Sequence, residues 1–195
     1  MKETIQKLGF GDKTKGHYSV RSINYSMLEF DNGTVAMTGF PEYTLTYQTP
    51  KSNWSKTYSG PIVIILIHDT KAKFVTIPRK QEASEGSGNI PMISKDKLIC
   101  IYNDNEKNIQ NEISDKVKEE DSPKNLALAA AIIDEGGNII SRKKIADNAI
   151  GKNYFFTSYT KELSNNTFLI PIGRTKANFV KYVTDIVQWA TIEVK

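Results

Sequence analysis

The stretch "LALAAAIIDEGGNIISRKKI", residues 126–145, decides how this chain is read. Its alanines would suit a helix. Its eight apolar residues in succession would equally suit a strand buried on both faces. The choice is made by a second stretch, "PIVIILIHDTKAKFVTIP", residues 61–78, which has the same grammar. There an apolar run ends at His68, a turn opens on Asp69, and a second apolar-leaning segment returns. Isoleucine and valine dominate that run, and β-branched residues favour a pleated surface. Each unit continues alike. "IPMIS" (90–94) and "KLICIYN" (97–103) follow the first; "YFFTSY" (154–159) and "TFLIPIG" (167–173) follow the second.

A supersecondary unit that recurs within a chain is the signature of a repeat architecture. A four-stranded antiparallel meander is the shape of one propeller blade. The fold expected is therefore all-β, built of antiparallel four-stranded meanders and partially β-propeller-like. The two blade-like units span residues 61–103 and 126–173. An N-terminal hairpin (23–49) precedes them, a polar insertion (104–125) separates them, and a closing segment (174–195) follows. Residues 1–22 read as a leader, and 23–195 as a single domain.

Local signals fill in this frame. "INYSMLEF" (23–30) alternates apolar and polar residues, and Asp31-Asn32-Gly33 is a strong hairpin turn. Pro41 interrupts the returning strand and predicts a bulge or an edge. The tail "FVKYVTDIVQWATIEV" (179–194) is open between two forms. Phe179, Val183, Ile186, Val187 and Ala190 fit a helical face, whereas the β-branched content fits a strand pair turning at Thr184-Asp185. Strands are expected.

Bulk properties exclude several function classes. The 195 residues are 39% apolar and 25% charged, which suits a globular chain with a core. The formal charge of +4 is spread along the chain, and Arg142-Lys143-Lys144 is the densest basic cluster. Nucleic-acid binding needs basic residues gathered on one face, so no nucleic-acid partner is expected. The single cysteine, Cys100, rules out an intrachain disulfide and thiolate clusters, and reads as a small buried hydrophobe. Met1 is followed by Lys2, Glu3 and Thr4, so no signal peptide is read. The longest apolar run is far too short to span a bilayer as a helix.

The stretches "SGPIVIILIHDTKAKFVTIPRKQ" (59–81), "KDKLICIYNDNEKNI" (95–109) and "SPKNLALAAAIIDEGGNII" (122–140) resemble the C-terminal part of a group of uncharacterised bacterial proteins. "LEFDNGTVAMTGFPEY" (28–43) is similar to a preceding hairpin in such chains. These are larger proteins with propeller-like β repeats. The resemblance implies the fold, and export of the full-length relatives. It implies no catalytic residue.

Four candidate sites can be read from the residues. "DNEKNIQNEISD" (104–115) sets Asp104, Glu106 and Asn108, with Glu112 and Asp115, at the oxygen-ligand offsets of a calcium loop. Such a loop needs glycine at its sixth position and a bidentate glutamate at its twelfth; here these are Ile109 and Asp115. The competing reading is a solvated strand exit capped by Asx turns. Tyr43, Tyr47, Trp54 and Tyr58 cluster around a proline-interrupted segment, where exposed rings could stack on sugars or on a partner's side chains. Packing is the competing reading. "GFGDKTKGH" (9–17) has phosphate-loop glycine spacing, but His17 and Tyr18 stand where Lys and Ser or Thr are needed. His68 precedes Asp69, but adjacent strand residues point to opposite faces, so no catalytic pair is expected.

No nucleophile elbow, metal cluster or phosphate cradle is legible. The function expected is a non-catalytic binding or scaffold module, as such or as part of a larger protein, with no cofactor, a calcium ion at Asp104, Glu106 and Asn108 being the lesser alternative, and meeting a protein partner or a second copy through exposed sheet edges. The alternative is a glycan-acting hydrolase-like enzyme or a carbohydrate-binding protein.

Overall fold

A computed structural model describes residues 18–49, 52–82, 88–110, 117, 126–147, 154–164, 167–178 and 181–194. Residues 18–24, 47–49, 110, 154, 174–178, 181–185 and 187 are described by their backbone alone. Among the described residues the chain is all-β and antiparallel, in three sheets, each built from strands consecutive along the chain.

The first sheet holds β1 (Tyr18–Glu29), β2 (Val35–Thr49), β3 (Ser52–Ser59), β4 (Ile62–His68), β5 (Lys71–Ile77) and β6 (Gln81–Glu82). It is in effect a four-stranded meander. β3 and β4 lie end to end along one side of β2, β3 beside Glu42–Thr49 and β4 beside Val35–Gly39. β6 and β5 lie end to end outside them. One line of irregularity crosses the sheet. It passes the register slip between Val20 and Ser22 in β1, Pro41 in β2, Gly60-Pro61 between β3 and β4, and Pro78 between β5 and β6. Proline has no N–H to give a ladder. Pro41 nonetheless sits in a central strand rather than at an edge. The neighbouring strand is interrupted beside it, and the Gly60 N–H donates to the Pro41 carbonyl at 2.8 Å.

The second sheet has the order β10-β9-β8-β7, from β7 (Asn89–Ser94), β8 (Lys97–Asn105), β9 (Leu126–Asp134) and β10 (Ile139–Asp147). A single helical turn, α1 (Glu106–Gln110), follows β8. The third sheet has β13 (Thr167–Asn178) at its centre, with β14 (Lys181–Glu193) along one side and β11 (Tyr154–Phe155) and β12 (Lys161–Ser164) along the other. A 3-10 turn at Thr157–Tyr159 separates β11 from β12.

The second sheet is the middle layer. Ala36, Ile64 and Leu66 of the first sheet pack with Leu98, Cys100, Ala129, Ala131 and Ile133 in one core. Met92, Ile101, Leu128 and Ala130, from the opposite face of the second sheet, pack with Phe168, Ile170 and Ile172 of the third. β9 is thus covered on both faces, and its run 126–131 is buried at every position. That is why "LALAAAII" lacks the alternation of a half-exposed strand.

The sheet boundaries differ from the expected units. Residues 61–103 straddle two sheets, since β4 and β5 join the N-terminal hairpin while β7 and β8 join β9 and β10. Residues 126–173 are divided in the same way. The antiparallel strand pairs are grouped half a unit earlier along the chain than expected. The tail is a strand, as favoured, but it does not turn at Thr184-Asp185: both lie inside β14, opposite Thr175 and Arg174. Among the described residues, no helix is long and apolar enough to cross a membrane.

Candidate functional site

The apolar strand β8 ends in a polar run that does not leave the core. Asn103 and Asp104 are fully buried, Asn105 is 6% exposed and Asn108 9%. A solvated strand exit is therefore ruled out. Most of these buried groups are paired. Asp104 Oδ1 accepts from the Asn105 N–H and from Asn108 Nδ2, both at 2.8 Å. Its Oδ2 meets the Arg142 guanidinium of β10. Arg142 also donates to Tyr102 Oη at 2.7 Å and to the Asn108 carbonyl at 2.9 Å. Its second terminal nitrogen reaches the Pro78 carbonyl of the first sheet at 3.3 Å. Asn105 Oδ1 accepts from the Lys107 N–H at 2.9 Å and starts α1. Asn103 Nδ2 donates to the Phe155 carbonyl of the third sheet at 2.6 Å. The polar end of β8 therefore ties the middle layer to both outer layers.

The electrostatics follow from burial. Desolvation raises the Asp104 carboxyl above its usual range, against the opposing pull of Arg142, Asn108 and the Asn105 N–H. Desolvation also pushes the Tyr102 hydroxyl up and the Cys100 thiol up to about 12, which leaves no thiolate at neutral pH. Arg79, fully buried between β5 and β6, is lowered to about 10 by the same cause and keeps its charge at neutral pH.

The expected calcium residues are divided between protein cations. Asp104 faces Arg142, whereas Glu106 turns to Lys144 of β10, with Oε1 and Nζ 2.6 Å apart. Asn108 turns its amide nitrogen, not its oxygen, to Asp104. Calcium would need oxygen donors converging on one point. Among the described residues, no three His, Cys, Asp or Glu side chains form such a group. Glu112 and Asp115 lie outside the described residues, as does "GFGDKTKGH".

The aromatic candidates are brought together in part. β2 and β3 set Tyr43 opposite Tyr58 and Tyr47 opposite Trp54 in the register of the two strands. Tyr43 and Tyr58 are buried and stacked, with ring centroids 5.6 Å apart. Lys80 Nζ lies 4.9 Å from the Tyr58 ring centroid. These two rings serve packing. Trp54 is 46% exposed, and the side chain of Tyr47 lies outside the described set. His68 contradicts the opposite-face argument. Its Nε2 lies 3.7 Å from Asp69 Oδ2, because Asp69 has left the strand with a φ of 52°. Its Nδ1 is 2.9 Å from Thr34 Oγ1, a turn-bracing contact at an exposed position.

The place where the three sheets meet carries no signal in the sequence. Arg79 lies over the Phe40 ring at 4.9 Å and donates to the Gly60 carbonyl at 3.3 Å and to the Gly88 carbonyl at 3.2 Å. Thr157 Oγ1 donates to the same Gly88 carbonyl at 3.0 Å. One carbonyl thus joins the first sheet to the third. A Cβ on Gly88 would stand 2.8 Å from the Ser158 nitrogen, so this approach requires glycine. Beside the knot opens a cleft of about 390 Å3. Its apolar walls are Phe40, Ile90, Pro91 and Phe168. Its polar groups come from Ser26, Asn89, Thr157, Ser158, Thr160 and Glu162. Only the tertiary structure brings Arg79, Gly88 and the 3-10 turn of the third sheet together. Comparison with protein-family models, with curated proteins and with solved structures returned no match.

Proposed function

We propose that the chain is a non-catalytic binding module, built as a stack of propeller-like repeats of the bacterial kind it resembles, and that its ligand enters the cleft at the three-sheet junction. One observation carries this reading. The cleft combines two phenylalanine rings with a surround of hydroxyl, amide and carboxylate groups on three separate sheets. Apolar walls with a few convergent polar groups are the usual composition of a small-molecule site. A hydroxyl-rich ring compound, a sugar unit above all, offers complementary surfaces: C–H faces for the rings and hydroxyls for Asn89, Ser158 and Glu162. Binding rather than hydrolysis is favoured because glycoside cleavage uses a pair of carboxyl groups, and Glu162 is the one acidic residue among those that line the cleft.

The test is titration of the labelled protein with a panel of mono- and oligosaccharides, followed by NMR. A hit should shift the amides of Asn89, Ser158 and Glu162 together. Glu162→Gln and Ser158→Ala, both at exposed positions, should each weaken it about tenfold, one lost hydrogen bond to a charged or polar group. Binding that leaves those amides unmoved, or survives both substitutions unchanged, refutes the site.

A further inference from the structure

The turn between β1 and β2 has a chemical weakness at the point where it touches the second sheet. Asn32-Gly33 is the one Asn-Gly pair in the chain; every other asparagine is followed by a residue with a Cβ. An asparagine side chain can be attacked by the backbone nitrogen of the next residue. Glycine in that place offers no Cβ to obstruct the approach and leaves the backbone free to turn into it. Asn32 and Gly33 are both exposed, and a Cβ on Gly33 would meet nothing. Water and hydroxide therefore reach the pair, and no neighbouring group crowds it.

Three hydrogen bonds restrain the two reacting groups. The Gly33 N–H donates to the Phe30 carbonyl at 2.9 Å. Asn32 Oδ1 accepts from the Thr34 N–H at 2.9 Å. Asn32 Nδ2 donates to Glu135 Oε2 at 2.6 Å. The first two lie within the turn. The third crosses from the first sheet to the β9–β10 turn of the second. Ring closure has to free the Gly33 nitrogen and rotate the Asn32 amide away from Glu135.

We infer that Asn32 is a deamidation site guarded by Glu135, and that its conversion separates the two turns. In the opened turn, hydroxide takes the Gly33 amide proton and the nitrogen attacks Asn32 Cγ. A C–N bond forms and the Cγ–Nδ2 bond breaks. Nδ2 leaves as ammonia, taking its third proton from water and regenerating the hydroxide. Water then opens the cyclic imide at either carbonyl. One product is aspartate; the other is isoaspartate, with the side-chain carbon drawn into the main chain. In both, the donor Nδ2 is gone and a carboxylate stands in the turn, between Asp31 and the Glu135 carboxylate. A bond that joined two sheets becomes a repulsion between like charges. Glu135 thus has two roles in sequence: it slows the reaction while the amide is intact, and it drives the turns apart once the amide is lost. The site lies away from the cleft, so its outcome is independent of sugar binding.

Incubation of the full chain at mildly alkaline pH, followed by peptide mass mapping, tests the site. Position 32 should gain a carboxyl before any other asparagine does, with ammonia released in equal amount. Glu135→Ala, at an exposed position, should speed the conversion about fivefold, less than loss of a buried bond to a charged group would give. Asn32→Asp, which reproduces one product, should lower the melting temperature by about 2–4 °C. Glu135→Gln in that background should restore most of the loss, because the repelling charge is removed. An Asn32 that stays intact while another asparagine reacts overturns the inference. So does a rate that Glu135→Ala leaves unchanged, or a melting temperature that Asn32→Asp does not lower or Glu135→Gln does not restore.

Discussion

Arg142 and Asp104 are the pair of residues on which the middle layer depends. Both side chains are buried, at 8% and 0% exposure. Removing one partner of such a pair leaves an uncompensated charge in the core, a loss of about 3–5 kcal/mol. Arg142→Met and Asp104→Asn should therefore each lower stability by that order in urea unfolding. The double variant should be less damaged than the two losses added, because neither charge remains. Additive losses would show that the two groups do not act as a pair. The composition of this site was partly legible. The run Asn103-Asp104-Asn105 is polar beyond its surroundings, but its partner Arg142 is one of three successive basic residues, Arg142-Lys143-Lys144. Alternation along β10 turns Arg142 inward, between the exposed Lys143 and the half-buried Ser141. Nothing in the three basic letters distinguishes the one that is buried.

At the scale of elements, the hairpin turns do more than reverse the chain. Gly33 and Gly137 both have positive φ, at 80° and 75°. A Cβ on Gly33 would meet nothing, whereas one on Gly137 would lie 2.9–3.1 Å from Lys73, Val75 and Leu66 of the first sheet. The β9–β10 turn is thus pressed against β4 and β5. Asn32 Nδ2 adds a bond of 2.6 Å to Glu135 Oε2 between the two turns. Gly33→Ala should cost about 1–2 kcal/mol, the conformational penalty alone. Gly137→Ala should cost about 2–4 kcal/mol, since overpacking is added to it. Equal losses in thermal unfolding would mean that the β9–β10 turn does not pack on the first sheet. Both turns were legible from Asp-Asn-Gly and Asp-Glu-Gly-Gly. Their contact was not, because turn residues specify a local φ and carry no information about which sheet lies opposite.

At the scale of the whole molecule, the second sheet contributes to both large cores and each outer sheet to one of them. β8 and β9 lie at its centre, hydrogen-bonded on both sides and covered on both faces. Opening them disrupts every layer, so their amides should open only with global unfolding. Hydrogen exchange should be slowest in Leu98–Tyr102 and Leu128–Ile133, and orders of magnitude faster in the edge strands β1 and β5. Equal protection in edge and central strands would contradict a stack in which the middle layer holds the others.

By itself, the sequence determined the class of this protein. Apolar runs too short for long helices, rich in β-branched residues and each followed by turn residues, allow little but antiparallel β-structure, because these are local properties of backbone and side chain. Tertiary structure decided how strand pairs were shared among sheets, which apolar faces were covered, and where the cleft opened. Those outcomes depend on contacts between residues distant along the chain. A carbonyl such as that of Gly88 becomes the meeting point of Arg79 and Thr157 only when separate sheets have already stacked.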